Sequence, residues 1–359
     1  MQKIRSQLVA AAAVVLALAA PAMAEELKPQ TLRMANTVGE NSWFGQQHKW
    51  WAAEVEKRTG GKLKVQIFWL ESLVKWKDAL PGIQSGVADF AWVSSTYFPS
   101  QFPRYLVLDN LFNFGDDYVA AILALLDTVD NEPSLKGELA KADIILVAPH
   151  ISGHAPIGTK APIKSVKELK GKSLRTYGGV RTQFYTNLGA NPIFMSFSDM
   201  YEAMNRGTID ALGDMAIVLS NAFKLYEVVK AVNTNAPPGV HGNGGALASG
   251  FYMSLKKFNA LPKETQKMFL DLRREYGVRY AQTLMDDEGA IRKEWETKHG
   301  VKFFEPSPED QKFVLEAGNA ANEQLIKKQE ADGHKGAREV WDYYIKAREK
   351  YEAERAKKT

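Results

Sequence analysis

Reactive groups at fixed spacing are what catalysis and metal binding need, and the histidines are the first candidates. His48, His150, His154, His241, His299 and His334 make up the full set of six, and none falls in an H-E-x-x-H pattern. His150 and His154 stand four apart, a metal-binding spacing on a helix, but Gly153 and Pro156 favour a loop there. Cysteine is absent, so a thiolate metal site is excluded. The chain carries neither a G-x-S-x-G nucleophile elbow nor a phosphate loop of the form G-x-x-x-x-G-K-S/T. The glycine-rich stretch from Gly239 to Gly250 lacks the G-x-G-x-x-G spacing and reads as tight turns before a strand at Ala246 to Leu255. No catalytic residue, metal site or cofactor is expected.

The elements that would position a binding site alternate. Thr31 to Asn36 reads as a strand and Phe44 to Arg58 as an amphipathic helix stopped by Gly60-Gly61. Leu63 to Trp69 reads as the next strand. Such alternation predicts an α/β fold with mostly parallel sheets. Lys263 to His299 is helix-forming almost throughout. Pro308 to Thr359 continues helical, and its charge-rich end from Glu349 reads as a solvated helix or frayed tail.

An internal echo adds to this. Ala79 to Ser95 and Tyr201 to Ala216 each contain a helix ending on glycine (Gly86, Gly207), then an aspartate (Asp89, Asp210), then a strand running into a polar turn. Glycine suits the left-handed position that closes a helix. In open α/β sheets, ligands lie outside the carboxyl ends of the strands. Two similar lobes facing a shared cleft would follow; two ordinary helix–strand joints are the alternative.

The first 24 residues have the plan of an export signal. Lys3 and Arg5 precede the apolar run Leu8 to Ala20, and Pro21 precedes the small-x-small site Ala22-Met23-Ala24. The run is shorter than a membrane-spanning helix requires. Cleavage after Ala24 would leave 335 residues (359 less 24) with a formal charge of +2, once Lys3 and Arg5 are removed from +4. That length suggests two domains. The near-neutral balance gives no footprint for nucleic acid.

The segment Ser165 to Asp210 reads SVKELKGKSLRTYGG and then LGANPIFMSFSDMYEAMNRGTID. It resembles the signature region of the periplasmic solute-binding subunits of TRAP transporters. Their pattern is a leucine-lysine-glycine turn, a strand ending on arginine, glycine-alanine-x-proline, an aromatic residue before a serine, and glycine-x-valine-aspartate. The resemblance runs from Leu32 to about Gln329 and takes in Trp51 to Glu56, Gly86 to Asp89 and Tyr97 to Pro103. It implies a two-lobed periplasmic-binding-protein fold with a central cleft, braced by a long helix for which Lys263 to His299 is the candidate. It also implies capture of a small organic acid, no enzymatic activity, and docking on TRAP membrane subunits. The expected layout is residues 25–152 plus about 241–275 in lobe 1, and 153–240 plus about 276–335 in lobe 2. Residues 336–359 would form a charged terminal helix or tail, and the protein is expected to be a monomer.

Within this resemblance Arg175 falls on the arginine that clamps a ligand carboxylate. A guanidinium presents a planar fork that meets a carboxylate through two parallel hydrogen bonds. Phe197 matches an aromatic placed against the ligand, with core packing as the alternative. Ser94 lies at the polar turn after Phe90 to Val93, and Trp76 near a helix start facing the cleft. Asp214, in the matching turn of the second lobe, would accept from a ligand hydroxyl or amine, hold a cation, or form a salt bridge. Sialic-acid-binding relatives carry a second arginine where this chain has Ala155, beside His154. Without that charge, and with Trp43 and Trp92 as further aromatic candidates, a monocarboxylate with an apolar or aromatic body is expected over a C4-dicarboxylate. Protonated His154, or Arg181, would restore the dicarboxylate reading. An ABC-type or sensor-coupled binder and a periplasmic enzyme are the competing functions.

Overall fold

The computed structural model describes residues 26–109, 117–233 and 249–357. The expected signal segment 1–24 and residues 239–248 of the glycine-rich stretch, His241 among them, lie outside the described residues. Strands β1 (Gln30–Ala35), β2 (Leu63–Phe68), β3 (Phe90–Ser94) and β4 (Ile144–His150) fall in the first half of the chain. Then come β5 (Ile157–Thr159), β6 (Ser173–Thr176), β7 (Asn191–Phe194), β8 (Ala211–Leu212) and β9 (Ala231–Asn233), followed by β10 (Ser249–Ser254) and β11 (Lys302–Phe304). They form two sheets, ordered β2-β1-β3-β10-β4 and β11-β9-β5-β8-β6-β7, one for each lobe.

The sheets are mixed, which corrects the expectation of mostly parallel pairing. β1 pairs in parallel with β2 and β3, and β6 with β7 and β8. β10, however, runs antiparallel between β3 and β4, and β5 runs antiparallel to β8 and β9. Parallel pairing needs a helical crossover that returns the chain to the same end of the sheet. β5 and β10 each follow a crossing from the other sheet and run against their neighbours, whereas β11, which also follows such a crossing, runs parallel to β9.

The internal echo has a specific physical content. Asp89 accepts the Arg33 N–H on its side chain at 2.7 Å while its own N–H donates to the Arg33 carbonyl at 2.8 Å. Asp210 repeats this with Ser173, at 2.8 Å in both directions. Each aspartate therefore clips the strand it precedes onto its parallel neighbour, β3 onto β1 and β8 onto β6. Gly86 and Gly207, at φ 74° and 72°, turn the chain into the clip.

The long helix Lys263–His299 forms over the expected residues. Gly277 lets it lie directly on β4 and the helix Tyr118–Asn131, since a Cβ there would sit 2.7 Å from Ile122 Cγ2 and 2.9 Å from Pro149 Cγ. Towards its other end, Trp295 donates to Asn221 Oδ1 at 2.9 Å, beneath the second lobe. The helix Pro308–Ala331 packs on the helix Val180–Asn187, with Val314, Ala317 and Ala321 in one apolar cluster with Phe184 and Leu188. The terminal helix Ala337–Ala356 is not a frayed tail. It buries Val340 and Tyr344, and Tyr343 and Tyr351 both donate to Asp127 on the helix Tyr118–Asn131.

Replacing Asp89 by alanine removes the clip and also strands Lys257, whose Nζ lies 2.7 Å from Asp89 Oδ1. The expected loss is about 1–3 kcal/mol, read as a lower urea midpoint at unchanged slope. An unchanged midpoint would show that the clip contributes nothing to holding β3 on β1.

Candidate functional site

β6 carries Arg175 to the edge of the second lobe, where its side chain is 0% exposed. Nε donates to the Met195 carbonyl at 3.0 Å and Nη1 reaches the Gly213 carbonyl at 3.4 Å. Nη2 is buried and has no partner. The guanidinium carbon lies 4.1 Å from the ring centre of Tyr177 and 4.6 Å from that of Phe197. Two aromatic faces and two carbonyls ease the burial of the cation, but no carboxylate of the described residues pairs with it. A buried charge without a counter-ion is costly.

Tyr177 also lines a cavity between the lobes, so Arg175 lies one ring away from that space. Leu219 joins Tyr177 on the second-lobe side, and Phe44, Trp76, Trp92 and Ser94 line it from the first lobe. His150 and the chain just after it complete the wall where the lobes are connected. Trp76 stacks on Tyr97 at 5.1 Å between ring centres and lies 5.1 Å from Trp92. Trp92 donates to Ser249 Oγ at 3.2 Å. The lobes touch at the rim, where Tyr97 donates to Ser196 Oγ at 3.3 Å and its ring meets Phe194 edge-on.

The sequence-derived candidates divide on this geometry. Arg175 and Phe197 lie together, and Trp76, Trp92 and Ser94 meet them across Tyr177. Trp43 is elsewhere, packed on Phe44 and Tyr280 and donating to Asp287. Asp214 is buried with its oxygens taken. Oδ2 accepts from Thr176 Oγ1 and the Tyr177 N–H, both at 3.0 Å, and Oδ1 accepts from Tyr185 at 2.9 Å and lies 3.3 Å from Arg181 Nε. The salt-bridge alternative thus describes Asp214, and Arg181 is its partner. His154 sits on a loop after β4, its N–H donating to Tyr118 and its ring 5.5 Å from that ring, so it is not brought to Arg175. With His150 at a strand end and His154 in a loop, the two form no helical pair.

Two features escaped sequence reasoning. Asp109 is buried beside the cavity; its Oδ2 accepts from Ser94 at 3.1 Å and Ser95 at 2.8 Å, while Oδ1 has no partner. Burial pushes its carboxyl up to about 6, against the hydrogen bonds from Ser95 and Ser94. His48 and His150 stack at 4.9 Å, His48 held by Asn36 at 2.7 Å and His150 by Tyr276 at 3.0 Å. Burial lowers His48 to about 3 and His150 well below the ordinary histidine range, so both are neutral. The signal for His150 was its place at a strand's carboxyl end; nothing local marked Asp109.

Among the described residues no group of three or more His, Asp or Glu side chains could hold a metal ion, and no helix is long and apolar enough to cross a membrane. The family model for the bacterial extracellular solute-binding proteins, family 7, matches residues 34–329. The chain belongs to that family. It is 28% identical over 261 residues to a solute-binding protein of Verminephrobacter eiseniae, covering 72% of this chain and 75% of the relative. It is 27% identical over 241 residues to the 2,3-diketo-L-gulonate-binding periplasmic protein YiaO of Escherichia coli, covering 66% and 70%. Its fold matches that of a TRAP solute-binding protein from an unidentified marine microbe, specific for aromatic acids and bound to 3-hydroxybenzoate. That match has a TM-score of 0.79 at 22% identity and covers 90% of this chain and 99% of the other.

The raised Asp109 value sets a pH dependence. Its folded-state affinity for a proton exceeds that of the unfolded chain, near the ordinary aspartate value. Between about pH 4 and 6 its contribution to stability is therefore lost as pH rises. Asp109→Asn should remove that slope, so the variant gains about 2 kcal/mol on wild type between pH 4 and 7 in urea unfolding. Parallel pH profiles would overturn this account of Asp109.

Proposed function

We propose that this member of the family is exported, captures a monocarboxylate with an apolar or aromatic body, and delivers it to TRAP-type membrane subunits without altering it. The observation that carries the reading is the buried Arg175 guanidinium with Nη2 unpartnered. It is a fixed cation in a dry, ring-lined site, and a ligand carboxylate supplies the missing anion and fits the planar fork.

Apolar rings around one cation favour a ligand of the same make-up. The groups that would have supported a second carboxylate are placed otherwise: Arg181 is 3.3 Å from Asp214, and His154 lies against Tyr118. The aromatic acid carried by the marine relative is consistent with this choice. Export rests on the plan of residues 1–24 and on the extracellular character of the family.

A ligand that binds only the folded form raises the melting temperature. Benzoate and branched 2-oxo acids should do so, with succinate and malate inert. Calorimetry on Arg175→Lys should then show a loss of about 2–5 kcal/mol, because a point charge replaces the fork. Stabilisation by succinate or malate alone would overturn the ligand class. Binding by the variant within about threefold of wild type would overturn the role of Arg175.

A further inference from the structure

The first-lobe side of the cavity holds two polar atoms that the protein leaves unsatisfied. Trp76 and His150 both line the cavity. Trp76 Nε1 is buried without a partner, and so is His150 Nδ1, the other ring nitrogen of His150 being engaged with Tyr276 at 3.0 Å. Buried polar groups in folded proteins are nearly always hydrogen-bonded, so each exception needs a reason.

Neighbouring groups sharpen the contrast. Trp92, 5.1 Å from Trp76, has its own N–H satisfied by Ser249 at 3.2 Å. Trp51 also has a buried, unpartnered N–H, but it packs on Phe90 and Phe269 and lines no part of this cavity. Trp76 and His150 combine an open polar atom with a place on the cavity wall.

Their chemistry restricts what they can receive. An indole N–H only donates, so its partner must accept. An ammonium cannot accept. A second carboxylate would meet two neutral groups and no cation, at a heavy desolvation cost. A neutral hydroxyl accepts from the indole and meets the neutral imidazole as donor or acceptor, while a carbonyl oxygen accepts from the indole and from an imidazole that carries its proton on Nδ1.

We infer that Trp76 Nε1 and His150 Nδ1 form a second, neutral subsite that reads a hydroxyl or keto oxygen on the ligand, remote from the carboxylate held by Arg175. The inference rests on the carboxylate-binding reading above. It makes the ligand a hydroxylated or oxo-substituted aromatic or cyclic monocarboxylate, tied to the second lobe by its acid and to the first by its neutral oxygen.

The test compares benzoate with 3- and 4-hydroxybenzoate by calorimetry, on wild type and on Trp76→Phe, which keeps a ring against Tyr97 and deletes the N–H. On wild type, one hydroxybenzoate isomer should bind at least about tenfold tighter than benzoate. In Trp76→Phe that ratio should fall below about threefold, whatever the absolute affinities. Equal binding of benzoate and both isomers to wild type would mean that water fills the subsite, and would overturn the inference while leaving the carboxylate reading intact. A preference that survives in Trp76→Phe would overturn it as well. No binding of any of the three would count against the carboxylate reading itself and remove this inference with it.

Discussion

Among the described residues Arg175 is a positive charge buried without a negative one, and the arrangement around it follows from that. A guanidinium taken out of water must be neutralised, solvated by dipoles, or left to destabilise the fold. Here the described residues supply two carbonyls and two aromatic faces and no carboxylate. The shortfall has the shape of an anion. Because β6 fixes the arginine within a sheet, the anion must come to it, which is the preorganised condition for tight binding.

Six residues further on, the chain treats an arginine in the opposite way. Arg181 is also fully buried, but Asp214 stands 3.3 Å from its Nε. Asp214 is held in turn by Thr176, Tyr177 and Tyr185, in a left-handed backbone conformation at φ 55°. The network consumes the acceptors of Asp214 and ties the turn after β8 to the backbone just beyond Arg175. Removing one partner of such a pair would leave an uncompensated charge. The pair therefore belongs to the architecture that holds Arg175, and its net charge near the ligand is close to zero. Among the described residues, one arginine of this segment lacks a counter-ion and the other has one.

Much of this was legible in the sequence, and what was not had a common cause. Arg175, the glycine–aspartate echo and the long helix are local patterns: a strand end, a cap with a clip, a run of helix formers. Family resemblance offered Arg175 and Phe197 as separate candidates, and the Arg175 guanidinium carbon lies 4.6 Å from the Phe197 ring centre. The alternatives for Asp214 stayed open in the sequence because its hydrogen bonding depends on Tyr185, 29 residues upstream. The polar character of His150 depends on Tyr276, 126 residues downstream. Asp109 becomes an unusual acid only through its burial in the folded chain, which outweighs the hydrogen bonds from Ser95 and Ser94. The mixed sheets were missed because the directions of β5 and β10 show only in their pairing with strands far along the chain, which no short window records.

The long helix constrains how such a molecule can move. Near its middle, Tyr280 donates to the Ile151 carbonyl at 3.0 Å, where the chain leaves the first sheet for the second. A little over two turns further on, Glu288 accepts from Tyr118 at 2.8 Å, and the same Tyr118 hydroxyl accepts the His154 N–H at 3.0 Å. The helix is thus fastened to the crossing itself. Its far end is fastened to the second lobe through Trp295 and Asn221. A rotation of one lobe against the other that keeps all of these bonds must turn about the crossing, with the helix between Glu288 and Trp295 absorbing the difference. Lys263 to Leu284 then moves with the first lobe and the end of the helix with the second. The cavity lies beside that same crossing, with His150 in its wall, so small rotations there become large separations at the rim where Tyr97 meets Ser196.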